Sequence, residues 1–416
     1  MKKFIGWLET SFAPRLNKIS HLSWVVILKD SIMQILPFIL LGSVFCCFAI
    51  LNDYIPGLPS FWEPFGWTMG KLSLFVAFLV PFNYCEKKKL RRQRLIAGLT
   101  GLVFFLICVT PITIVEGGVG FGASALGAGG MFVAIITGIF TSLIFGLFGK
   151  FSFFKQESAI PEFVRTWFDQ MLPIFIVVVF GWLVVLVNNI DFYTIIVNIF
   201  MPLQTILNTW YGFTFMCFIV CFIYSMGISS WVLTPVTQPV ELASIAANLA
   251  MVAAGTATVA SMNMFTSGVV YVTYMWVGGI ASTLPLVVML CFSKVKKLKA
   301  LGRASLVPGL FNINEPVVFG CIAWNPLLML PMWLQGIIIP LYTWFMCKVV
   351  AIAPIPKIQF EMWYLPYPLG TWISTGSFIA VLCLLSSVAL SALIWYPFFK
   401  AYEKQELEAE KSGVTE

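Results

Sequence analysis

Apolar residues run along this chain in long blocks, without the short alternation expected of strands that face water. Blocks long enough to cross a hydrocarbon core, which takes about 20 residues apiece, lie at about 25–50, 67–84, 95–115, 129–149, 170–190, 210–232, 240–262, 266–292, 327–348 and 373–397. Lipid offers no partner to a bare backbone N–H or C=O, so each block is expected to be helical. The pattern predicts an all-α polytopic membrane protein with about ten transmembrane helices. The 240–262 run is rich in Ala, Ser, Thr and Asn and carries Glu241, which leaves open whether it crosses, lies flat or re-enters.

One stretch breaks the pattern. From Arg303 to Pro326, three prolines, two glycines and three asparagines interrupt apolar sequence, which predicts a re-entrant hairpin around 305–326 instead of a regular span. In its middle is Glu315, flanked by Asn312, Asn314 and Pro316. A carboxylate at membrane depth is costly and therefore a functional candidate. Two roles suit it: accepting hydrogen bonds from a polyhydroxylated solute, with Asn314 as both donor and acceptor, or pinning the hairpin through backbone N–H groups. A sugar also wants an aromatic face for its C–H surface. Trp324, Trp333, Trp363, Tyr364 and Trp372 follow the hairpin, although such residues also form interfacial belts. Trp363, in the stretch Gln359–Pro366, is the strongest candidate platform.

Composition agrees with a membrane protein. Hydrophobic residues make up 60% of the 416 and charged residues 10%, against about 25% charged in soluble domains. The net charge of +7 comes from clusters at Lys87, Lys88, Lys89, Arg91, Arg92, Arg94 and at Lys294, Lys296, Lys297, Lys299, Arg303. Both clusters are expected on the cytoplasmic side, facing anionic lipid and not nucleic acid. An even number of predicted spans separates the N-terminus, these clusters and Lys150 and Lys155, which is consistent with that orientation. Residues 1–24, with Phe4, Trp7, Leu8 and Phe12 at helical spacing, suit an amphipathic cytoplasmic lead-in and not a cleavable signal, and 399–416 a charged cytoplasmic tail.

Cysteines such as Cys46, Cys47, Cys108, Cys217 and Cys221 sit in apolar runs with no Cys-x-x-Cys pair, which points to packing thiols. The single histidine, His21, precedes the first span, so a Ser-His-Asp or His-ligated metal mechanism within the spans is excluded, and no metal or cofactor is expected. Glycines from Gly117 to Gly130 suggest an external loop and close helix packing instead of a phosphate cradle.

The run Leu306-Val-Pro-Gly-Leu-Phe-Asn-Ile-Asn-Glu-Pro-Val-Val-Phe-Gly320 with Asn325-Pro326, the preceding Lys/Gly linker, and Trp395-Tyr-Pro-Phe-Phe-Lys-Ala-Tyr402 resemble the membrane IIC component of the lactose/cellobiose (N,N'-diacetylchitobiose) class of the bacterial phosphoenolpyruvate-dependent sugar phosphotransferase system. Weaker support comes from His21-Leu, Lys29-Asp-Ser, Leu36-Pro, Gly42-Ser43 and Leu126-Gly to Ile136. The resemblance implies a homodimeric permease in the bacterial cytoplasmic membrane. It would translocate a disaccharide while a separate IIB protein, itself served by IIA, phosphorylates it from a phosphocysteine. It further implies a scaffold and dimerisation part at 25–190 and a substrate-holding part at 191–398. On the same basis Glu315 becomes the candidate catalytic group and, with Asn314, a sugar contact. Asn312, Trp363, Gly278 and Gly279 would line the same site.

This chain departs from the family at two places. Gly-Ile-His-Gly becomes Gly227-Ile-Ser-Ser230, which puts Ser229 where the family has a histidine. Gly-Gly-x-Gly-x-Thr-Leu becomes Gly278-Gly-Ile-Ala-Ser-Thr-Leu284, and Val272 stands at a nearby acidic position. Serine bonds a hydroxyl but is no general base near pH 7. A second reading is therefore a non-phosphorylating facilitator, sensor or receptor. A third, a channel or ion-coupled carrier, would need acids such as Glu116, Asp30 and Glu241 in addition to Glu315.

Overall fold

A computed structural model describes residues 21–51, 57–109, 118–149 and 161–412, with isolated positions among 1–20, 52–56, 110–117 and 150–160. The chain is built from helices. Besides them there is a two-stranded hairpin pairing Ile112–Thr113 with Val119–Gly120. Among the described residues seven helices are long and apolar enough to cross a membrane: Ser23–Cys46, Trp62–Lys87, Ala128–Phe148, Glu162–Val187, Ser230–Ala253, Pro326–Val349 and Phe378–Glu410. The pair Phe192–Leu207 and Trp210–Ser225, broken at Asn208 and Thr209, makes an eighth if counted as one span. Of the expected lead-in residues, Phe4, Leu8 and Phe12 lie outside the described residues, as do Lys150, Lys155 and Glu116.

Two of the ten expected blocks are not single long helices among the described residues. The 95–115 run yields only the 15-residue helix Arg94–Cys108, roughly 22 Å long at 1.5 Å per residue. The 266–292 run is not one helix: a π-helical turn, Gly268–Thr273, and tight turns precede the helix Leu284–Cys291. Its apolarity reflects burial in protein, where side chains from elsewhere satisfy the irregular backbone. Thr371 Oγ1 donates to the Thr273 carbonyl at 2.8 Å, Trp276 N–H to the Tyr367 hydroxyl at 2.8 Å, and Trp395 Nε1 to the Ser282 carbonyl at 3.1 Å. The 240–262 run is helical to Ala253 and then turns, so its helix Thr234–Ala253 begins earlier and ends earlier than hydropathy suggests.

The chain divides into two compact units. One holds His21–Leu203 and Thr234–Ala246. Within it small residues let helices approach closely: a Cβ on Gly101 would sit 2.5 Å from the Ala77 carbonyl oxygen, and one on Gly138 would sit 2.7 Å from Val80 Cβ. Asn83 Nδ2 donates to Ser31 Oγ at 2.9 Å, a polar tie between helices Ser23–Met33 and Leu72–Lys87. The other unit contains Gln204–Leu233 and Ala247–Glu416. There, helix Trp210–Ser225 lies against Pro326–Trp344 at Gly336, where a Cβ would be 3.0 Å from Cys221 Cβ. Gln335 Nε2 reaches the Ser391 carbonyl at 2.9 Å, linking this helix to the long helix Phe378–Ser412. The described cysteines are free thiols, most of them buried.

Candidate functional site

The hairpin is built by local sequence. Helix Lys296–Leu310 ends just after Pro308 and Gly309, and Asn312 takes a left-handed φ of 61°, a conformation that asparagine tolerates better than most residues. A single helical turn, Glu315–Val317, leads into a π-helical turn, Val318–Ile322. Asn325 Oδ1 then accepts from Leu327 N–H at 3.1 Å, capping helix Pro326–Trp344. All of this lies in the second unit, as do the segments that meet it.

The two asparagines before the glutamate brace the hairpin. Asn312 Oδ1 accepts from Gly278 N–H at 2.9 Å, while its Nδ2 donates to the carbonyls of Trp363 at 2.6 Å and Leu365 at 2.8 Å. Asn314 is buried; its Nδ2 donates to the Ile280 carbonyl at 2.8 Å and Thr283 Oγ1 at 3.2 Å, and its Oδ1 accepts from the Tyr224 hydroxyl at 3.2 Å. Both donors of Asn314 are thus engaged by protein, leaving one lone pair of its oxygen. Gly279, at φ 98°, has Asn314 packed where a side chain would stand: a Cβ there would fall 2.4 Å from Asn314 Cγ. Gly278, at φ 82°, is equally tight against Leu284. The two glycines therefore shape the turn that receives the asparagine brace.

Glu315 differs from both. Its side chain is exposed and makes no hydrogen bond or ion pair among the described residues. Bracing thus falls to Asn312 and Asn314, and the Glu315 carboxylate has its acceptor positions open. Trp363 is half-buried and held beside the hairpin through its own carbonyl. Its ring meets Trp231 edge-on, with centroids 6.4 Å apart. Ser229, two residues from Trp231, is exposed, and its side chain makes no hydrogen bond among the described residues. Asn312, Asn314, Gly278, Gly279 and Trp363 thus come together, and Ser229 lies two residues from Trp231, the ring partner of Trp363.

Sequence reasoning missed Tyr224, Thr283, Trp231, and the buried pair Glu361 and Ser267. Tyr224 lies in an apolar helix with no local signal, whereas Glu361 stands two residues before Trp363 and was legible as an acid in apolar sequence. Of the other acids considered, Asp30 pairs with Lys29 at 3.5 Å and Glu241 is buried with a partner, and Glu116 lies outside the described residues.

A family model described as Phosphotransferase system, EIIC, matches residues 29–336. The lactose-specific EIICB component of Staphylococcus haemolyticus (strain JCSC1435) is 28% identical over 448 residues, covering 99% of this chain and 73% of that protein. The corresponding component of Staphylococcus epidermidis is 27% identical over 443 residues, covering 99% and 72%. The crystal structure of the transporter ChbC, the IIC component from the N,N'-diacetylchitobiose-specific phosphotransferase system, is similar with a TM-score of 0.85 and 26% identity, over 98% of this chain and 100% of that one. The match extends through the braced hairpin and most of the apolar helices, and with it the chain belongs to the EIIC family of phosphotransferase-system membrane proteins.

Proposed function

We propose that this multi-pass membrane protein is a sugar permease that carries a disaccharide of the lactose, cellobiose or chitobiose type, which a IIB component phosphorylates during uptake. The single observation that carries the sugar assignment is the contrast at the hairpin tip. Asn312 and Asn314 are spent on backbone, while the adjacent Glu315 carboxylate is exposed with its acceptors open. A carboxylate held by a rigid, hydrogen-bonded turn is preorganised to accept sugar hydroxyl protons, with Trp363 as the apolar face. The relatives' names, lactose-specific and N,N'-diacetylchitobiose-specific, support a disaccharide.

In the transfer the P–S bond of the IIB phosphocysteine breaks, a P–O bond to a sugar hydroxyl forms, and the hydroxyl proton leaves. Glu315 is the acceptor we assign to that proton, because Ser229 offers no base. A homodimer, a 25–190 scaffold, a 191–398 substrate-holding part, cytoplasmic basic clusters against anionic lipid, and IIA upstream of IIB complete the proposal. The test is uptake of radiolabelled disaccharides by cells with and without IIB. Accumulation as sugar phosphate, dependent on IIB, supports the reading. Accumulation as free sugar regardless of IIB would replace it with the facilitator reading that Ser229 favours.

A further inference from the structure

The stretch between Val349 and Tyr367 has no regular helix, yet Glu361 within it is only 5% exposed, and Ala353, Ile355 and Phe360 of the same stretch are buried as well. Its carboxyl faces Ser267 Oγ at 2.5 Å, and Ser267, itself buried, heads the π-helical turn Gly268–Thr273. The same tight turn carries the candidate platform: Trp363 N–H donates to the Glu361 carbonyl at 2.9 Å, and Asn312 holds the carbonyls of Trp363 and Leu365. Glu361 is therefore buried in the turn that presents Trp363, and the mechanism above does not use it.

We propose that Glu361 is a proton-binding residue of the sugar-holding unit, and that sugar binds to the form of the protein in which Glu361 is protonated. This rests on the reading of Trp363 as the sugar platform. An enclosed carboxylate lacks the hydration its charge requires, so ionisation draws water or movement into the 359–366 turn, and that turn carries Trp363. Burial pushes the Glu361 carboxyl up to about 7, against a smaller downward pull from the Ser267 hydroxyl. Titratable side chains on the same and adjoining segments are Tyr271, Tyr274, Tyr364 and Tyr367, phenols uncharged near neutrality, and the exposed Lys357. Glu315, on the hairpin, is exposed. Because sugar binds the protonated form, binding raises the carboxyl's pKa above its value of about 7 in the free protein, so affinity is full below that pH and is lost as pH rises past it. Above that point the apparent dissociation constant climbs about tenfold per pH unit, close to 30-fold between pH 6 and pH 8.5.

Glu361 is thus a positioning residue, and its test needs readouts that simple packing would not move. In the purified full chain, infrared spectra at pH 6 and pH 8.5 should show the carbonyl stretch of a protonated carboxylic acid that fades with pH and is absent from Glu361→Gln. Calorimetric titration with lactose, cellobiose and N,N'-diacetylchitobiose over the same range should show wild-type affinity falling as pH rises and a flat profile for Glu361→Gln. Ser267→Ala, which removes the bond that favours the anion, should move the midpoint to higher pH and serves if Glu361→Gln does not fold. Absence of the acid band at pH 6, or a wild-type affinity flat across the range, would overturn the proposal. An acid band with no sugar bound at any pH would instead defeat the sugar reading of Trp363, and the linkage with it.

Discussion

The side-chain amide of Asn312 donates to the carbonyl oxygen of Trp363 at 2.6 Å, which joins the turn before Glu315 to the stretch that carries the tryptophan. The same side chain also bonds Gly278 N–H and the Leu365 carbonyl, so three chain segments converge on one residue in an unfavourable backbone conformation. Hairpin geometry and aromatic position are therefore set together.

Asn312→Ala removes three hydrogen bonds and leaves part-buried partners unpaired, and it places a Cβ-bearing residue without side-chain compensation at positive φ. A loss of about 2–4 kcal/mol is expected, read as earlier thermal unfolding in detergent together with weaker sugar binding. Asn312→Gly, which relieves the backbone and still lacks the bonds, should recover about 1 kcal/mol of that loss and none of the lost affinity.

Neighbouring positions in the 278–283 turn should respond in opposite senses. Gly279→Ala puts a methyl group 2.4 Å from Asn314 Cγ at φ 98°, so it should destabilise the unit by several kcal/mol, on the order of other overpacked or strained sites. Ala281 stands at φ 68°, a conformation that glycine adopts without strain, and Ala281→Gly should stabilise by about 1 kcal/mol. Parallel thermal melts of the two variants check the pair.

Ser229→His tests whether a base is missing. The Ser229 side chain is exposed and makes no hydrogen bond among the described residues, so an imidazole has space to enter. Transfer of radiolabelled phosphoryl from phosphorylated IIB to sugar should rise by about 100-fold, the low end of general-base contributions. An unchanged rate would mean that this position takes no part in transfer here.

The hairpin was legible because Pro308, Gly309, Asn312, Asn314 and Pro316 are residues that helices reject, and an acid among them is costly in lipid. What each polar group does there was not legible. Asn314 and Glu315 both suit a sugar by composition, and only the fold separates the asparagine engaged by Ile280, Thr283 and Tyr224 from the glutamate left open. Hydropathy measures avoidance of water and not helicity, so the 266–292 run, which avoids water inside protein, reads as one span yet is not one helix. The Trp231 partner of Trp363 is 132 positions away in sequence, beyond any local pattern.

Disaccharide affinity and thermal stability of Glu315→Ala, measured side by side in purified protein, test the central claim most directly. A carboxylate that serves sugar and not the hairpin should lose about 1.5–3 kcal/mol of binding, roughly tenfold to more than a hundredfold, with an unchanged melting temperature. Affinity equal to wild type, or a loss of binding matched by a loss of stability, would contradict the assignment of Glu315 as the sugar-contacting group.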